Sequence, residues 1–198
     1  MKIRSGLIGA LILSITAASA HAQNVRIRGT VAALDGNVLA VKSREGETIK
    51  VTLAGDAKIV AMVPASLADI HPNSFVGATA MPEEDGRWRA IEVHIFPEES
   101  RGTGEGDRAF DYRPKSTMTN GTVTAVANAG GTTLTLNYKE GEKQVDVTPQ
   151  TVIYTYAPGD RAELKPGAVV FITGATRQSD GTLMTGRINV GRGVAPPM

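Results

Sequence analysis

The sequence predicts an all-β protein, and three observations carry that prediction. Apolar and polar residues alternate with a period of two, as in Val25-Arg26-Ile27-Arg28 and Ile49-Lys50-Val51-Thr52-Leu53. Turn pairs such as Asp35-Gly36, Glu45-Gly46, Gly130-Gly131 and Glu140-Gly141 punctuate the apolar runs, which is the local chemistry of hairpins. The pattern then occurs a second time along the chain. Gly29-Thr30-Val31 matches Gly121-Thr122-Val123, and Val38-Leu39-Ala40-Val41 matches Thr133-Leu134-Thr135-Leu136. Further on, Ile49-Lys50-Val51 matches 144–147, His71-Pro72-Asn73 matches Lys165-Pro166-Gly167, and Asp85-Gly86 matches Asp180-Gly181. The offset moves only from 92 to 95 over this length, as small loop insertions in a duplicated unit would produce.

Within one unit the elements follow in order. Strands are expected around Val25–Val31, Val38–Val41 and Ile49–Leu53. Residues 64–70 then break the alternation, with Ser66 placed to cap a single helical turn; 157–164 is the counterpart. Strands Phe75–Met81 and Trp88–Phe96 close the unit. Three strands, a connector and two strands is the order of an OB-type barrel, whose closure removes exposed edges. The expected fold is therefore two tandem OB-like small β-barrels, residues 23–97 and 119–192, joined by a Gly- and charge-rich linker over 98–118, with a tail at 193–198. A unit of roughly 70 residues is near the lower limit for an adequate core, so the barrels are expected to lean on each other or on the linker. On the last strand of the first unit, Ile91, Val93 and Ile95 are expected to face the core. Trp88, Ala90, Glu92, His94 and Phe96 then face outward, and packing of these aromatics against linker or second barrel is the preferred reading.

The start of the chain reads as an export signal. Lys2 and Arg4 precede twelve mostly apolar residues, Leu7 to Ala18, and Ala20-His21-Ala22 is a small-residue cleavage site, so the mature chain is expected to begin at Gln23 in the periplasm. The run is shorter than the ~20 apolar residues that span a bilayer, and the product is not expected to be membrane-spanning. Of the chain's 21 basic and 20 acidic residues, Lys2 and Arg4 fall in those first 22, so the remainder carries 19 bases against 20 acids, a net charge of −1, which argues against a polyanion binder working by bulk charge and against nucleic acid as a partner. Zero cysteines exclude thiolate metal sites and thiol catalysis.

Little else in the sequence carries chemistry. Glu92 and His94, two apart on one strand face, are weak candidates for metal ligands, and their repeat counterparts Arg187 and Asn189 are not ligands. No nucleophile elbow, Ser-x-x-Lys or His-Glu-x-x-His motif occurs, so no enzyme and no cofactor is expected. The linker carries Arg101, Arg108, Arg113, Phe110 and Tyr112 among acids and glycines, and the reading is divided evenly between a tether and a loop clamped onto a barrel.

The repeated G-T-V, the apolar run after it, the D/E-G turns and the x-P-G/N turn, with the stretches Phe96-Pro97-Glu98-Glu99-Ser100-Arg101-Gly102-Thr103-Gly104-Glu105-Gly106 and Met118-Thr119-Asn120-Gly121-Thr122-Val123, resemble a bacterial family of exported OB-like barrels of unknown function. Members of that group often carry the label of metal transporter permease. The resemblance implies the fold and export, and at most an association with a transporter. The functional expectation is a non-enzymatic periplasmic binding or scaffolding module for an uncharged, extended polymer such as a glycan or peptide, or for an envelope protein. Trp88, His94, Phe96, Arg101, Phe110 and Tyr112 are the candidate contact residues. The alternative is a soluble accessory of metal uptake, with Glu92 and His94 binding a divalent ion.

Overall fold

A computed structural model describes residues 24–128 and 131–195. The expected export signal, Gly130 and the end of the tail at 196–198 lie outside the described residues. Twelve strands follow in order: β1 Asn24–Asp35, β2 Val38–Ser43, β3 Thr48–Pro64, β4 Phe75–Pro82, β5 Trp88–Ile95, β6 Gly106–Ala109, β7 Thr117–Ala127, β8 Thr132–Tyr138, β9 Gly141–Val147, β10 Val152–Pro158, β11 Val169–Arg177 and β12 Leu183–Gly191. The all-β fold predicted from the alternation is what forms. Among the described residues the remaining regular structure is three single 3-10 turns, and no helix is long and apolar enough to cross a membrane.

The repeat has a structural meaning strand by strand. Gly29 and Gly121, which open the two G-T-V motifs, sit where β1 crosses β2 and β7 crosses β8. A Cβ at Gly29 would lie 2.1 Å from the Lys42 carbonyl oxygen, and one at Gly121 would lie 2.6 Å from that of Asn137. Two residues later each strand shifts register, between Val31 and Ala33 and between Val123 and Ala125, and bends to meet a second partner. The connectors also correspond. The Asp69 carboxylate accepts from the Ser66 backbone N–H and hydroxyl, both at 2.8 Å, and Asp160 accepts from the Ala162 N–H at 2.7 Å. Ile70 and Leu164, just beyond these turns, are buried and equivalent.

Closure differs from the expected tandem arrangement. One ring runs β1-β2-β3-β12-β11 and returns to β1; the other runs β7-β8-β9-β5-β4 and returns to β7. Each ring has OB order, including a parallel contact between its third and last strands, β3 with β12 and β9 with β5. The last two strands of each ring, however, come from the other repeat. Residues 23–97 and 119–192 thus do not close on themselves, and the boundaries expected from chain order do not delimit the barrels. The cores show the same exchange. Leu39, Val41, Val51 and Leu53 of the first repeat pack with Leu164, Ile172, Ile188 and Val190 of the second. Val76, Ala78 and Val93 pack with Val123, Leu134, Leu136 and Val145.

The exchange follows from the long third strand. Seventeen residues of β3 run out of the first ring without interruption before the turn at Leu67–Asp69, so β4 is delivered to the other barrel. In the second repeat the equivalent path is broken into β9 and β10 by Thr148-Pro149-Gln150-Thr151, because proline has no N–H for the ladder. The two escaping segments pair antiparallel: Val60 with Pro158, Ala61 with Ala157, Met62 with Tyr156, Val63 with Thr155, Pro64 with Tyr154. Met62 and Tyr156 differ by the repeat offset of 94, so the pseudo-twofold axis passes between them.

One local expectation is corrected. A register shift in the β4–β5 pair, between Thr79 opposite Glu92 and Ala80 opposite Ala90, makes Ile91 a bulge. Ala90 and Val93 are both core residues, Trp88 packs on the core's edge, and Ile91 is not part of it. Strict alternation cannot anticipate a flip of face at an extra residue.

The exchange predicts that fragments 24–115 and 116–195 do not fold separately into stable barrels. Mixed together they should regain the melting transition of the intact chain in a one-to-one complex, read by circular dichroism and light scattering. Two independently folded, monomeric halves would contradict the strand order described above.

Candidate functional site

The seam where the four exchanged segments meet encloses a cavity of about 880 Å³ open to solvent. Its floor is β5 and β10, held in parallel register with Tyr154 beside His94 and Val152 beside Glu92. Because side chains two apart share a strand face, Glu92, His94 and Phe96 line up against Tyr154 and Tyr156. The rings form one cluster. His94 stacks on Tyr154 at 5.5 Å and meets Phe96 and Tyr156 edge-on at 4.8 and 5.6 Å; Phe96 lies 5.9 Å from Tyr156.

Beneath the rings lies a buried polar network. The Glu92 carboxylate accepts from the Thr79 hydroxyl at 3.1 Å and the Tyr154 hydroxyl at 3.3 Å, and lies 3.1 Å from His94 Nδ1. Burial and the Glu92 charge push both Tyr154 and Tyr156 phenols above the ordinary tyrosine value, and the Tyr154 hydroxyl, with the Arg187 charge behind it, draws Tyr156 partly back. Gly77 makes room for this arrangement, since a Cβ there would fall 2.2 Å from His94 Nε2 and 2.7 Å from Asn120 Oδ1. Asn120 is buried; its Nδ2 donates to the Thr103 carbonyl at 2.9 Å, and its Oδ1 has no partner among the described residues.

The linker is clamped along the cleft. β6 pairs with β7, and Asp107 on β6 accepts from the Thr119 hydroxyl at 2.7 Å and from Lys143 Nζ at 3.1 Å. Arg101 donates to the Asn73 carbonyl and to Glu98. Arg28, buried in the first barrel's wall, grips Asp111 with two hydrogen bonds of 2.9 and 3.0 Å, its guanidinium 5.1 Å from the Phe110 ring and 4.4 Å from Phe171. Those bonds hold the Asp111 carboxyl below its ordinary value. Of the two readings of this segment, the structure has the ordered one.

Three of the six candidate contact residues, His94, Phe96 and Phe110, line the cavity. Arg101 lies next to the lining residue Ser100 and works as a clamp. Tyr112 lies apart, with Arg113 over its ring and its carbonyl accepting from Arg44. Trp88 is at the other side of β5, with Lys143 Nζ 3.5 Å from its ring centre, and so joins the linker to the second barrel through Asp107. Glu92 and His94 stand together, but no third His, Cys, Asp or Glu joins them among the described residues. Sequence reasoning missed Tyr154, Tyr156, Asn120, Arg26, Lys58, Arg108 and Arg187. Tyr154-Thr155-Tyr156 is a visible alternation; its place beside Glu92 and His94 depends on the exchange and has no local signal.

The class is thus a duplicated OB-type barrel pair with exchanged strands and an aromatic, polar cleft at the seam. Residues 120–189 match the model of a domain of unknown function, DUF5666. That match spans one repeat, β7 into β12, which the structure divides between both barrels. No curated protein and no solved structure matches the chain.

Two predictions concern this geometry. Gly77→Ala should cost about 1–3 kcal/mol by overpacking against His94 and Asn120, and in a His94→Ala background the penalty should fall to the part due to Asn120, measured by chemical denaturation. The Asp111 clamp contributes fully above the ordinary value of 3.8 and is lost as pH falls through the lowered one. Acid-protease cleavage beside Phe110 should therefore appear in the native chain only in strong acid, and in Asp111→Asn already at about pH 5, where an ordinary aspartate is ionised.

Proposed function

We propose that this protein is a non-enzymatic binding module of the bacterial periplasm whose seam cleft takes a carbohydrate. The export signal expected over 1–22 and the resemblance of both repeats to exported OB-like proteins support the location. The carrying observation for the ligand is the cleft itself. Its volume falls in the range of small-molecule sites, and it combines ring faces (Phe96, Tyr156, Phe110, Phe171) with polar groups of fixed orientation (His94, Asn120, Asn189). Sugar rings are recognised by this combination, an apolar face on an aromatic plane and hydroxyls on amides and imidazole.

The strand pattern favours a sugar over a peptide. β3, β5, β10 and β12 around the cleft are each paired on both sides, so they offer no edge onto which a peptide backbone could add. Recognition through side chains alone suits a ligand without a repeating amide backbone. The accessory of metal uptake rests on two donors, Glu92 and His94, and Glu92 already accepts from Thr79 and Tyr154.

On an array of bacterial glycans and random peptides, the purified mature chain should retain glycans. Phe96→Ala should weaken that binding roughly tenfold, and Phe96→Leu, which keeps volume without the ring, by a comparable factor. Retention of peptides only, or glycan binding indifferent to both substitutions, would overturn the reading.

A further inference from the structure

The cavity is chemically lopsided across the pseudo-twofold axis. Equivalent positions carry Glu92 and Arg187, His94 and Asn189, Tyr154 and Val60, Met118 and Arg26. One half is aromatic, with its carboxylate committed to a buried network. The other half is cationic. Arg187 on β12 is the register partner of Lys58 on β3, so two positive side chains stand next to each other across a parallel ladder, both lining the cavity. Neither has an acidic partner among the described residues; Arg187 reaches only Asn189 Oδ1, at 3.3 Å. At the mouth, Arg26 and Arg108 form a second like-charge pair. Arg108 donates to the Gly104 carbonyl at 2.7 Å and forms no ion pair among the described residues, and Arg26 lies 3.5 Å from an Asp111 already gripped by Arg28. Packing at the mouth and the Arg26 charge together lower the Arg108 pKa.

Like charges placed side by side cost stability in the empty protein. Four cations line this cavity against two carboxylates, the committed Glu92 and the rim residue Glu99. Such an arrangement is favourable when an anion completes it, because guanidinium and ammonium groups converging on a concave site bind oxyanions through charge-assisted bonds.

We propose that the ligand is an acidic sugar, with its ring on the Phe96–Tyr156 floor and its oxyanion held between Lys58–Arg187 and Arg26–Arg108. This rests on the carbohydrate reading above and narrows it.

The test is calorimetric titration of the mature chain with three oligosaccharides of equal length: a uronate, a sulfate ester, and a neutral sugar with CH2OH in place of the carboxylate. At least one acid should bind roughly tenfold tighter than the neutral sugar, and its affinity should fall steeply with added salt. Which acid binds separates a carboxylate from a sulfate source. Lys58→Gln with Arg187→Gln should abolish the preference, bringing the affinity of the acid down to that of the neutral sugar, with the melting temperature unchanged or raised, because the pair repels in the free protein. Equal binding of neutral and acidic sugars, or a preference that survives the double substitution, overturns the acidic assignment and leaves the carbohydrate reading standing. No binding of any sugar, with the chain folded, overturns both.

Discussion

The antiparallel ladder between β3 and β10 is the constraint on which the rest of the molecule depends. It forms only because both third strands continue past their own barrels, and once formed it fixes where the following strands land. β4 and β5 complete the second ring, β11 and β12 complete the first, and neither hydrophobic core exists without both repeats. Units of roughly 70 residues sit at the margin of independent stability. Exchange removes that limit by making two small cores one cooperative structure, the intrachain counterpart of a swapped dimer.

The same ladder creates the cleft. Pairing β10 with β5 on one side and β3 on the other leaves a trough over the axis, lined by equivalent residues of both repeats. In a symmetric dimer the two halves would be identical. Fusion into one chain frees each half to change separately, and here they have diverged to opposite character, acid, imidazole and phenols facing lysine and arginine. A buried carboxylate is tolerable only because Thr79, Tyr154 and His94 satisfy it. The exposed Lys58–Arg187 neighbours have no acidic partner among the described residues, so the two halves of the cleft differ in how their charges are met.

The sequence made the strands, turns and duplication legible because those are local: alternation, Asp-Gly and Glu-Gly pairs, and the G-T-V glycines where two strands cross. Exchange was not legible, for a physical reason. A self-closed barrel and an exchanged one use the same strands, the same inward faces and the same ring order, so Leu39 is buried either way and its neighbour Ile172 or Val76 cannot be chosen from spacing. The Ile91 bulge was hidden for the opposite reason, since one extra residue breaks a period that the reading assumed. Hence His94, Phe96 and Phe110 were found from their types, while Tyr154, Tyr156 and the cations, which arrive from distant strands, were not.

The linker adds a wall to the cleft that the strands of the two repeats do not supply. It follows β5, whereas just after β12 Arg192 reaches back to the Pro158 carbonyl and Glu163. The linker docks on both barrels, through Asp107 to Lys143 on one and through Asp111 to Arg28 on the other, so its position is set by the same exchange that sets the seam. Glu99, Ser100, Thr103, Arg108 and Phe110 become one wall of the cavity by that docking. A tether would need none of these bonds. Their cost in chain entropy is offset only if the docked form stabilises the seam or what lies in it, and the Arg108 that the linker sets beside Arg26 of β1 makes the empty seam the less favourable beneficiary.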